Sequence, residues 1–166
     1  MTKKTGKDIV SAPENALTFS SDDFDADVYA SVARKARLQD LRLCESNYFS
    51  KPECFMEAEE TGKELSQGFY GEMSGHSFSS DSGLLVGGYV WGADVRFGRK
   101  KALKMKCEYV LIYSGLEGAD AEYVRLYFKK IARFTSYPYF RAHFAHHSAA
   151  SGLRLPPLPS LNDRMD

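Results

Sequence analysis

The stretch that decides the fold is residues 84 to 113, LLVGGYVWGADVRFGRKKALKMKCEYVLIY. Its first half places Leu85, Tyr89, Trp91, Ala93, Val95 and Phe97 in alternation with Val90, Gly92, Asp94 and Arg96. Its second half sets Leu103, Met105, Cys107, Tyr109, Leu111 and Tyr113 against Lys104, Lys106 and Glu108. Alternation with a period of two turns every second side chain to one face, so each half reads as a strand with one apolar face. The GRKK between them is short enough to join the two as an antiparallel hairpin.

A sheet that is apolar on one face needs a cover for that face, and helical patterns lie on both sides of the hairpin. Upstream, Val28, Val32 and Ala36 recur at helical spacing, which predicts a helix over 25 to 36 with Asp25 or Asp27 capping its first turn. LQDLRLCESNYF then shifts to a period of two, with Leu41, Leu43 and Phe49 on one side interrupted by Glu45 and Asn47, and reads as a first strand. Residues 50 to 82 scatter glycine and serine among aromatics without a clean register. There Phe69 and Met73 share a strand face near 66 to 78.

Downstream, Asp120 is placed to cap a helix carrying Tyr123, Leu126, Tyr127, Ile131 and Phe134 three and four apart. Tyr137-Pro138 then predicts a break near Ser136, with proline either kinking one helix or opening a new one. The second segment aligns Tyr137, Phe140, Phe144 and Ser148, and Gly152 is a natural stop. In LRLPPLPSL, prolines 156, 157 and 159 lack the backbone donor a helix or inner strand requires, so this run is expected to be an extended loop. Helix, strands and helices in that order predict an α+β domain with helices on one face of an antiparallel sheet.

The 166 residues suit one domain. Residues 1 to 22 lack sustained periodicity and are expected to form a mobile arm, with a domain over 23 to 160 and a tail over 161 to 166. Lys and Arg together number 22 and so do Asp and Glu, leaving no global field to draw the chain to nucleic acid or to anionic lipid. The basic N-terminal residues precede no apolar leader segment, and no run approaches a membrane span, so the expected location is the cytoplasm. Cys44, Cys54 and Cys107 cannot all pair within one chain and lack C-x-x-C spacing, which predicts reduced thiols, with Cys107 as core filler.

The chemistry-bearing patterns are few. His143, His146 and His147 lie three and four apart, a spacing that lets two imidazoles meet one metal ion, and they define a metal- or ligand-binding alternative. No H-E-x-x-H glutamate or second Cys/His cluster completes such a site, and histidines are favoured near a helix C-terminus by its dipole. Solvated surface histidine is the default reading. G-x-S-x-G, Walker-type and dinucleotide-binding glycine motifs are absent, and Glu59-Glu60 lies in a polar stretch. Neither enzymatic activity nor a cofactor is expected. The informative excess is aromatic: eight rings lie between Tyr123 and Phe144, more than one helix face needs for a core, which points to a partner surface.

Tyr137-Pro138-Tyr139-Phe140-Arg141, followed by Gly152, Leu153, Leu155, Pro156, Pro157 and Leu158, resembles the aromatic-Pro-Tyr-x-Arg helix and the glycine-leucine-proline crossover loop of SecB-type chaperones. The resemblance covers roughly residues 36 to 160. It implies a four-stranded antiparallel sheet, a homo-oligomer built as a dimer of dimers with helices between the sheets, and apolar grooves that hold unfolded polypeptide clients without ATP. Tyr137, Phe140, Phe144, Leu153, Leu155, Pro156 and Leu158 would then be client-binding. Export-type members carry acidic residues where this chain has Gly98-Arg99-Lys100-Lys101, and continue through another helix where this sequence closes at Asp166. A basic turn repels a basic docking partner, so delivery to the translocation motor SecA is the alternative rather than the expectation. SVARKARLQDLRL is similar to the branch that accompanies toxin–antitoxin systems, which implies an antitoxin as client.

Overall fold

The computed structural model describes residues 24–161; the expected N-terminal arm and nearly all of the tail lie outside them. The predicted hairpin is its centre. Strands β3 (Leu84–Phe97) and β4 (Lys100–Ser114) pair antiparallel from Phe97 opposite Lys100 to Leu85 opposite Tyr113. Gly98 and Arg99 alone make the turn, and Gly98 has a φ of 57°, a left-handed conformation that glycine enters without penalty. Strand β1 (Arg37–Ser50) adds beside β4 and β2 (Ser66–Ser79) beside β3, giving a four-stranded antiparallel sheet of order β1-β4-β3-β2. The outer strands β1 and β2 are its two edges.

The apolar side chains alternating along β3 and β4 form one buried face, on which all three helices contribute to a single core. Helix α1 (Ala26–Lys35) is capped by Asp25, whose Oδ1 accepts from the amides of Asp27 at 2.9 Å and Val28 at 3.2 Å. It buries Val32 and rests against the start of α3, where the Asp25 amide donates to the Tyr123 hydroxyl at 2.8 Å. Helix α2 (Pro52–Thr61) occupies part of the stretch that shows no clear pattern in sequence. Pro52 in its first turn and a left-handed Gly62 as its C-cap bound a segment that buries Cys54, Phe55 and Ala58.

Two register shifts in β1, between Leu38 and Asp40 and between Leu43 and Glu45, correct the expected grouping of its side chains. An extra residue at the second shift exchanges the faces. Leu41 and Leu43 oppose the buried Leu111 and Tyr109, but beyond the shift Ser46 and Tyr48 take that side and Phe49 points to the opposite face, beside Lys104.

Helix α3 (Ala121–Ala150) begins at Asp120, whose Oδ1 accepts from the amides of Glu122 and Tyr123. At 1.5 Å per residue it is about 45 Å long. Val124, Phe128, Ala132, Ser136, Phe140, Phe144 and Ser148, spaced every four residues, are all buried. The expected break near Ser136 does not occur: one helix runs through Pro138. Proline removes the bond its amide would give to the carbonyl of Phe134, but its ring is exposed and the turn before it is pinned from the sheet. Trp91 Nε1 donates to Ser136 Oγ at 2.8 Å, and Ser136 Oγ donates to the Ala132 carbonyl at 2.6 Å. The close approach is possible because β3 carries Gly87 beneath Phe128, where a Cβ would sit 2.3 Å from the ring. The helix stops at a Schellman motif: the Gly152 amide bonds to the Ala149 carbonyl and the Leu153 amide to that of Ser148, with Gly152 at a φ of 73°.

Two expectations follow for the folded chain. Ser136→Ala orphans the buried indole N–H and should cost about 1–3 kcal/mol in denaturant unfolding, whereas Ser148→Ala removes only a hydroxyl that back-bonds to the Phe144 carbonyl and should cost clearly less. Equal losses would show that the Trp91 bond does not pin the helix. A thiol reagent applied to the native chain should label exposed Cys44 ahead of Cys54 and Cys107, which are buried, the Cys107 thiol being also pushed up in pKa by that burial; mass spectrometry reads the order.

Candidate functional site

The aromatic residues of α3 and β3 converge on Trp91. Its ring centroid lies 4.9 Å from that of Tyr137, 5.1 Å from Tyr89 and 5.9 Å from Phe140, the last nearly parallel. Phe140 continues to Phe144 at 6.5 Å, and Tyr137 meets Phe69 of β2 at 5.5 Å. These spacings lie in the range favoured by offset and tilted ring pairs.

The structure brings together on one helix face the side chains expected to contact a client, but turns most of them inward. Tyr137, Phe140 and Phe144 are 4%, 0% and 1% exposed, and Leu158 of the loop is 0% exposed, so this chain itself encloses these four. The physical reason is priority: an apolar helix stripe first satisfies the apolar sheet face it lies on, and only the surplus remains for a partner. Leu153 and Leu155 are half-buried against the core, and Pro156 and Pro157 are exposed. Of the other residues in the helix motif, Pro138 and Tyr139 are exposed and Arg141 is half-buried.

Tyr137 is the joint between these parts. Its ring packs on Phe69 and Trp91, and its hydroxyl donates to the carbonyl of Pro159, which fastens the irregular run after Gly152 to α3. Burial pushes its phenol up in pKa, against a smaller opposite pull from Arg141, so it remains a donor at neutral pH. On the helix side of β2, Phe69, Met73 and Phe78 form a half-buried row, and the buried Gln67 Nε2 has no hydrogen-bond partner. The outer side of β2 pairs with no strand among the described residues. Phe69 and Met73 share the strand side that their spacing predicts, while Gln67 gives no signal in the sequence because its role depends on which strand β2 pairs with. That pairing is not written in any local pattern.

The three histidines lie where the end of α3 meets β1. His143 Nε2 lies 3.0 Å from Ser46 Oγ, His147 stacks on Tyr48 with centroids 5.0 Å apart, and the His143 and His147 rings meet edge to face at 4.4 Å. They join the end of α3 to edge strand β1. Burial, then the neighbouring His147 and His146, pull the His143 pKa below its ordinary value. Among the described residues no group of three or more His, Cys, Asp or Glu side chains is placed to hold a metal ion, and none of the described helices is long and apolar enough to cross a membrane.

No protein-family model matches the sequence, and no curated protein does. Among solved structures the chain is similar to a SecB-like chaperone of Mycobacterium tuberculosis in complex with a ChAD peptide from the HigA1 antitoxin. The TM-score is 0.68 at 17% sequence identity, and the match covers 84% of this chain and 99% of that one. An identity this low speaks for architecture alone, and on that ground the chain has the SecB-like fold.

Proposed function

We propose that the chain is a non-catalytic holdase chaperone that binds unfolded or aggregation-prone polypeptide segments along the seam between β2 and the loop of residues 153–161. One observation carries this reading. At Tyr137 the half-buried row of β2 and the fastened proline-rich loop come together beside a strand edge that pairs with nothing among the described residues. A polypeptide can add its backbone to such an edge while its apolar side chains reach the half-buried leucines and phenylalanines. Each contact contributes about 25 cal/mol per Å² of apolar surface covered and asks for no defined sequence. Leu153, Leu155 and Pro156 are the client-facing residues of this proposal, with Phe69 added. Tyr137, Phe140, Phe144 and Leu158 act as their support from within the core.

The client we favour is an antitoxin, because the similar structure is a chaperone holding an antitoxin peptide. Export delivery through SecA is less favoured, since Arg99 and Lys101 stand exposed at the β3–β4 turn and repel a basic docking partner. A homo-oligomer, arranged as a dimer of dimers, fits the edge strand β1, where Leu38 and Leu43 are each 44% exposed beside unpaired backbone. The proposed place of work is the cytoplasm.

The test is suppression of light scattering when an unfolded client is diluted into buffer containing the protein. Replacing Leu153 and Leu155 together by serine should raise the concentration needed for half-suppression about tenfold, the equivalent of about 1.4 kcal/mol. An unchanged curve with the double variant removes the seam as the binding surface, and no suppression by the unaltered protein removes the holdase reading. Analytical sedimentation should show a tetramer; a monomer at the working concentration sinks the proposed assembly.

A further inference from the structure

The face of the sheet turned away from α3 is assembled differently toward the β3–β4 turn than toward its other end. Across the strands from β2 to β1, one row reads Tyr70, Gly92, Lys106, Asn47, and the next reads Gly68, Asp94, Lys104, Phe49. Beside the turn Arg96 stands directly opposite Lys101. Directly opposed like charges are unfavourable in a sheet, so this pair gains from a bound anion.

The aromatic residues of this face are presented rather than buried. The Tyr70 ring lies across Gly92: a Cβ on that glycine would come within 2.2 Å of Cζ and 2.5 Å of the hydroxyl oxygen. The ring therefore rests on the backbone of the neighbouring strand while remaining 43% exposed. At the opposite edge Phe49 is 48% exposed, with Lys51 Nζ 5.7 Å from its centroid. Three strand spacings, about 14 Å, separate the two.

Between and below the rings, Arg96, Arg99, Lys101, Lys104 and Lys106 are exposed, and none of them takes part in an ion pair among the described residues. Lys100 at the same turn differs, being paired with Glu57 at 2.8 Å. Asp94 lies within the patch, and Glu72, Glu108 and Glu45 form the row that bounds it. Equal totals of acid and base in the whole sequence thus conceal a local excess of cations.

We propose that this surface binds single-stranded nucleic acid, with a base stacked on Tyr70, a second near Phe49, and phosphates on Lys104, Lys106 and Arg96. Flat aromatic surface beside cations on an open sheet is the combination that holds single strands with little regard to sequence. An acidic peptide would use the same cations but has no need of an aromatic ring laid flat and uncovered, which is why nucleic acid is the occupant favoured here. The surface is on the opposite side of the sheet from the seam assigned to polypeptides, and the inference does not rest on that assignment.

The probe is a fluorescein-labelled oligouridylate about 15 nucleotides long, titrated with the full chain and read by anisotropy at salt concentrations from about 50 to 200 mM. Binding should weaken with salt with a log–log slope of about −2, as expected for three phosphates on a single strand. Lys104→Ala with Lys106→Ala should flatten the slope to about −0.7. Tyr70→Leu should weaken binding about tenfold while leaving the slope unchanged. Both variants should retain the circular dichroism spectrum and the suppression of client scattering of the unaltered protein. Absence of binding at the lowest salt overturns the proposal, as does affinity indifferent to both sets of changes. A polyglutamate of matched charge that binds as tightly, and responds to the lysine pair but not to Tyr70→Leu, overturns it in favour of an acidic polypeptide.

Discussion

The seating of α3 along the sheet is the constraint on which the rest of the structure depends. Phe128 lies over Gly87 and near His76 of β2, Tyr137 reaches Phe69, and His143 and His147 touch Ser46 and Tyr48 of β1. The helix therefore crosses from the β2–β3 side to the opposite edge. Each phenylalanine it buries contributes about 1.5–3 kcal/mol relative to exposure, and Phe128, Phe140 and Phe144 are all fully or almost fully buried. Against this stands the cost of Pro138, about 3 kcal/mol inside a helix, and the Trp91–Ser136 bond next to it keeps the turn in register. The crossing direction also decides where the chain goes next. The helix ends beside β1, and the loop after Gly152 runs back to Tyr137, fastened there at Pro159.

That arrangement explains why the fold was largely legible in the sequence and the site only partly so. The β3–β4 hairpin, the caps Asp25 and Asp120, the stop at Gly152 and the irregular proline run all rest on local chemistry that a short window contains. Helix α2 does not announce itself through periodicity, because only Cys54, Phe55 and Ala58 are buried while Met56 is exposed among the glutamates; its proline start and glycine end are the available signals. Past Leu43 the faces of β1 differ from what its pattern predicts, because a register shift is set by the partner strand and not by the strand's own pattern. Pro138 does not break the helix for a related reason: the partner that holds the turn, Trp91, lies 45 residues away from Ser136 in sequence, outside any local window.

The same distinction separates which site residues could be read. Spacing placed Tyr137, Phe140 and Phe144 on one face correctly, yet could not say whether that face meets the chain's own sheet or another molecule. An excess of aromatic residues is ambiguous in this way whenever a sheet also needs covering. The residues left half-covered are marked instead by interruptions of regular structure. Leu153 and Leu155 sit among prolines that prevent pairing, and Phe69 sits on a strand with no second neighbour among the described residues. Incomplete backbone pairing, more than hydrophobicity, distinguishes surface that can accept a polypeptide from surface that is already satisfied.

Charge shows how a neutral total can mislead. The sequence carries 22 basic and 22 acidic residues, but exposed contacts in water respond to charges within about a Debye length, roughly 8–10 Å, and not to the sum over the chain. Helix α2 and the β3–β4 turn lie close enough for Glu57 to bind Lys100, and around that one pair glutamates gather on the helix while cations gather on the strands. The two faces of the sheet therefore offer different chemistry. The α3 side has apolar surface beside a backbone edge left open among the described residues; the opposite side has cations beside a ring that is 43% exposed. Under the two proposals a ligand that needs desolvation would go to the first and one that needs counter-charge to the second, and because the sheet stands between them, occupation of one face would leave the other free.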